Sequence, residues 1–130
     1  MFAGKLLFAV LLSIVLASTI GCGGVTSDCG PNGLNVGPSA ATVNHAVPAP
    51  GNSQVFSASF QFKNSPGCPA ITAALVNSNW TASDPSVHLS APQATQVTAT
   101  CTAAAATPVT ITATPVSGEM FTGKASLTCN

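Results

Sequence analysis

The chain contains no arginine and no tyrosine, and it carries only three lysines against three acidic residues in 130 positions. A surface that binds nucleic acid must replace the counterions on phosphate with basic side chains. Lys63 and Lys124, the two lysines beyond the amino-terminal segment, cannot build one. Acid–base and metal enzymes gather several carboxylates, histidines or cysteines in one place. Here Asp28, Asp84, Glu119, His45 and His88 are scattered, and the many serines include no Gly-x-Ser-x-Gly elbow. A zinc site usually has paired ligands about two to four residues apart, and the five cysteines have no such pair. The chain therefore reads as non-catalytic, with no cofactor and no metal. No apolar run reaches the ~20 residues of a spanning helix.

What is present begins with an address. Residues 1–5 carry one positive charge, residues 6–16 (LLFAVLLSIVL) are apolar, small residues follow, and then comes Cys22 between Gly21 and the pair Gly23-Gly24. This is the three-part layout of an export signal. It resembles the signal of bacterial lipoproteins, in which the cysteine becomes the acylated first residue of the mature chain; Thr19 stands where that pattern usually has Leu. The resemblance implies a cleaved leader over 1–21, a lipid on Cys22 and attachment to a membrane. Gly23, rather than Asp, after the cysteine implies the outer membrane. The alternatives are plain secretion after a cut near Ala17 or Thr19, with Cys22 left as a disulfide partner, and a retained helix.

Without Cys22, four cysteines remain: Cys29, Cys68, Cys101 and Cys129. An even number in an oxidising compartment implies two disulfides. Three pairings are possible, and the spacing alone does not choose among them. The odd cysteine is the one that a lipid would consume.

Beyond the leader, Thr, Ser, Ala, Val and Ile dominate, punctuated by many of the 10 prolines and 11 glycines. This composition favours strands and turns. Residues 22–33 are Gly-rich and polar and read as a tether. Residues 34–43 read as an edge strand interrupted by Pro38. In residues 54–62 (QVFSASFQF), Phe56, Ala58, Phe60 and Phe62 alternate with Val55, Ser57, Ser59 and Gln61. Period-two alternation of this length signals a half-buried strand. Further strands are expected within 71–82, with Val76, Ser78, Trp80 and Ala82 on one face, and around Val87 and Leu89. Others follow at 96–101 with Val97, at 108–115 with Ile111, and at 124–130 with Leu127. The expected core is Phe56, Phe60, Trp80, Val97, Ile111 and Leu127. About seven strands separated by turn signals point to an all-β, two-sheet sandwich over 34–130.

The stretch WTASDPSVHLS from Trp80, with PSAATV from Pro38, QVFSAS from Gln54 and VTITAT from Val109, resembles the bacterial immunoglobulin-like domains of surface proteins and adhesins. Thr107-Pro108-Val109 stands where that family usually has Gly-Thr-Ala. The resemblance covers most of the mature chain. It implies a core Trp80 and a structural or adhesive role, although this fold hosts many functions. In such a sandwich, with strands running alternately up and down, Cys29 and Cys68 fall at one pole and Cys101 and Cys129 at the other. A bridge needs Cα atoms within about 7 Å, so the expected pairs are Cys29–Cys68 and Cys101–Cys129.

His45 and His88 read as solvated histidines, and Asp84 as the start of an Asx-turn. Asp84 and Glu119 are too few to build a calcium site. Asn79-Trp80-Thr81 is formally a glycosylation sequon, discounted with Trp80 in the core. The alternative to an adhesive or structural module is a carbohydrate- or substrate-binding accessory protein. That role needs an exposed aromatic pair, and Phe121 is the one aromatic of the mature chain left outside the expected core.

Overall fold

The structure is a computed structural model and describes residues 29–130. The leader, Cys22 and the first part of the tether lie outside the described residues. Every regular element described is a strand: β1 (Pro31–Gly37), β2 (Ala40–Val43), β3 (Ser53–Phe62), β4 (Ser78–Ala82), β5 (Val87–Leu89), β6 (Gln93–Ala94), β7 (Gln96–Cys101), β8 (Val109–Pro115) and β9 (Gly123–Cys129). They form a four-stranded sheet in the order β1-β3-β7-β5 and a five-stranded sheet in the order β2-β9-β8-β4-β6.

The alternation in β3 does what a period of two requires. Phe56 and Ala58 are fully buried, while Val55 between its polar neighbours is exposed. β8 and β9 repeat the pattern, burying Val109, Ile111 and Ala113 and then Ala125, Leu127 and Cys129. Side chains from both sheets join in one apolar cluster, so the molecule is a two-layered sandwich. Phe56, Trp80, Val97, Ile111 and Leu127 are buried in it. Phe60 is only half-buried and packs against the cluster's margin. The reason lies in the register: β7 pairs with β3 only over Ser53–Ser57, so Phe60 lies past the covered part of its strand. Phe121, expected outside the core, packs against it as well.

Three elements differ from the sequence reading. The expected single strand at 34–43 is two strands in two sheets. β1 runs antiparallel to β3, with Leu34 opposite Phe60, whereas β2 runs parallel to β9, with Val43 opposite Cys129. Pro38 has no N–H to continue the ladder, and the chain crosses between layers there. β1 also begins at Pro31, inside the stretch read as tether. In 71–82 the ladder covers only Ser78–Ala82. The preceding residues touch β3 through the Ser59–Leu75 bridge and the Val76 N–H, which donates to the Ala58 carbonyl at 2.9 Å. β6 was not expected, since two residues carry no periodicity; its pairing with β4 comes from tertiary placement.

Two disulfides join Cys29 to Cys68 and Cys101 to Cys129, with Cα separations of 5.5 and 5.8 Å. These are the pairs that shared poles select. Cys101 ends β7 in one sheet and Cys129 ends β9 in the other, so this bridge ties the two layers and is itself buried. The Cys29–Cys68 bridge fastens the residue ahead of β1 to the loop after β3.

Candidate functional site

The polar residues singled out in the sequence do not converge. The His45 N–H and its Nδ1 both contact the Asn130 carbonyl, at 2.9 and 2.5 Å, beyond the end of β2. His88 is exposed in β5 opposite Thr100, in the other sheet. Glu119 accepts a hydrogen bond from the Ser117 hydroxyl, two residues away. Asp84 forms an Asx-turn: the Ser86 N–H donates to its Oδ1 at 2.8 Å. Hydrogen bonding from Ser86 holds the Asp84 carboxyl below its ordinary value of 3.8. Among the described residues, no three His, Cys, Asp or Glu side chains group as metal ligands. No helix among them is long and apolar enough to cross a membrane.

Trp80 is buried, and its indole N–H donates to the Ala94 carbonyl at 2.8 Å, which ties β4 to β6. A ring with only 4% of its surface exposed is a packing element and offers no platform to a ligand.

An arrangement with binding capacity lies where the start of β1 meets the end of β3. β1 and β3 pair regularly from Gly37–Ser57 to Gly33–Gln61, then slip, so that Asn32 is extra between Gly33 and Pro31, which pairs with Phe62. Such a bulge bends the strand and re-aims a side chain. A groove of about 420 Å³ follows, lined by Asn32, Asn35, Phe60, Gln61, Phe62, Ile71 and Ala73. Phe60 and Phe62 meet edge to face, with centroids 6.2 Å apart and planes at 74°. Asn32, Asn35 and Gln61 are exposed. Sequence reasoning placed Phe60 and Phe62 on the core face of their strand and missed the groove. The usable signal was two aromatics at the end of a strand, facing a short run with two asparagines.

Comparison of the chain with protein-family models, with curated proteins and with solved structures finds no match.

Proposed function

We propose that this chain is a lipid-anchored, non-catalytic protein of the bacterial envelope whose immunoglobulin-like sandwich serves as a structural or adhesive module. The observation that carries this reading is the strand order. Immunoglobulin-type sandwiches place strands A, B, E and D in one sheet and C, F and G in the other. With β1, β3, β4, β5, β7, β8 and β9 lettered A to G in chain order, the sheets here read A-B-E-D and G-F-C. β2 continues strand A into the second sheet beside strand G. β6 is an addition, inserted between D and E and paired at the edge beside C.

The anchor supplies location. Each acyl CH₂ buried in a bilayer contributes about 0.8 kcal/mol, and two or more chains give stable attachment. Cys22 precedes Cys29 by seven residues, so a lipid on it would hold Cys29 within ~25 Å of the membrane surface.

The test is the intact mass of the protein extracted from its host envelope, with and without globomycin. A processed chain beginning at an acylated Cys22, and an unprocessed precursor under the inhibitor, are expected. Cys22→Ser should release the protein from the membrane fraction. A mature chain with unmodified Cys22 would refute the anchor, and host cells that adhere equally with and without the chain would refute the adhesive role.

A further inference from the structure

We propose that the groove between β1, β3 and the segment after β3 is a binding site for a neutral saccharide. The inference rests on the reading of the chain as a surface module and gives that module a ligand class.

Three observations select the class. The Asn32, Asn35 and Gln61 amides line the groove, and none makes a side-chain hydrogen bond to another described residue. Each amide offers two donors and an acceptor, a set that matches vicinal hydroxyls, which both donate and accept. Phe60 and Phe62, both half-buried, also line the groove, and the part of each ring that remains open is an apolar surface against which the C–H face of a sugar ring can pack. No ionisable side chain lines the groove, so a charged ligand would shed its hydration without gaining an opposite charge. A purely apolar ligand fits no better, because it would cover three amides and leave them unpaired. A peptide strand would dock on a backbone edge and would not draw on these side chains. The groove's volume falls within the ordinary range of small-ligand sites.

The bulge at Asn32 gives the site its shape. Regular pairing through Pro31 would send alternate β1 side chains to opposite faces. The slip between Pro31 and Gly33 brings Asn32 into the same groove as Asn35.

The experiment uses the full chain, extracted from the envelope in a detergent with a non-sugar headgroup. It is titrated calorimetrically with neutral tetrasaccharides (β-1,4-glucan, β-1,4-mannan and α-1,4-glucan) and with tetragalacturonate as the acidic comparator. At least one neutral tetrasaccharide should bind. Asn35→Ala and Gln61→Ala, both exposed and thus compatible with folding, should each weaken binding roughly tenfold. Thr81→Ala, beside Trp80, should leave it unchanged. Absence of binding by every neutral tetrasaccharide, preference for tetragalacturonate, or binding that survives the Asn35→Ala/Gln61→Ala double substitution would overturn the proposal. Cell adhesion separates this outcome from the fate of the broader reading. Adhesion that needs the chain but tolerates the double substitution removes the groove alone. Saccharide binding without any adhesion phenotype supports the groove and counts against the adhesive role.

Discussion

A methyl group added to Gly123 would stand 3.0 Å from the Leu34 carbonyl oxygen and 2.7 Å from Val36 Cγ2. The first strand of one sheet therefore approaches the last strand of the other as closely as backbone permits. The Val36 methyl can shift, but the Leu34 carbonyl belongs to the β1–β3 pair and cannot easily yield. Gly123→Ala should cost about 1–3 kcal/mol through overpacking, read as a lower denaturant midpoint with an unchanged slope. A wild-type midpoint in the variant would show that β1 and β9 are further apart.

The two bridges should differ in weight. In the chain-entropy account, loops of 28 and 39 residues give similar stabilisation, about 3–4 kcal/mol each. Only the Cys101–Cys129 bridge is also buried between the layers. The pair Cys101→Ala/Cys129→Ala should thus lower the melting temperature more than Cys29→Ala/Cys68→Ala. The reverse ranking in calorimetry would contradict the assignment of the buried bridge as the tie between sheets.

Trp80→Phe should cost about 1–3 kcal/mol, because it shortens a buried ring and leaves the Ala94 carbonyl without its indole donor. As the chain's one tryptophan, residue 80 also reports directly. Native fluorescence should be blue-shifted and poorly quenched by iodide, and should move red in one step on unfolding. A red-shifted, freely quenched native spectrum would place the ring in water.

Asp84 sets a pH dependence whose sign follows from its hydrogen bonds. Its carboxyl lies below the ordinary 3.8 in the folded state, so ionised Asp84 favours folding. That contribution is complete above the unfolded value and fades as pH falls through the folded one. Asp84→Asn should therefore be less stable than wild type at pH 6. The gap should narrow as pH drops below about 3.8. Melting curves of both proteins at several pH values check this, and a gap that widens in acid would reverse the sign.

Gly118 adopts φ +91° in the turn between β8 and β9, with open space around it. Gly118→Ala should destabilise by about 1 kcal/mol through backbone strain alone. Gly118→Asn should recover part of the loss, since Asn tolerates positive φ better. Equal stability of all three forms in urea titrations would show that the turn relaxes.

The layers were legible in the sequence where burial acts through period two. Phe56, Val97, Ile111 and Leu127 could be assigned because alternation is a local pattern with a global cause. The crossing at Pro38 was half legible. Proline announces a break in a ladder, but only the partner strands reveal that its two sides join different sheets. β6 could not be read, because a two-residue strand exists through its neighbour. The groove escaped for a related reason. Whether Phe60 is core or wall depends on how far β7 extends along β3, a fact of register. The amides gave no signal alone: Asn32 fell in the stretch read as tether, and Asn35 in the expected edge strand alternates outward, as polar residues ordinarily do.

The two covalent links also set how the domain would bear tension. If a pull enters ahead of Cys29 and leaves after Cys129, the taut path runs from Cys29 across to Cys68, along the backbone to Cys101, and across to Cys129. The intervening loops, with β1 to β3 in one and β8 and β9 in the other, are spared extension. Only 68–101 can be drawn out, roughly 110 Å when fully straightened, against about 340 Å for the same span without the links. Most of the two layers would thus ride outside the line of force, so that a stretched domain keeps its ends close together and recovers from a short tether.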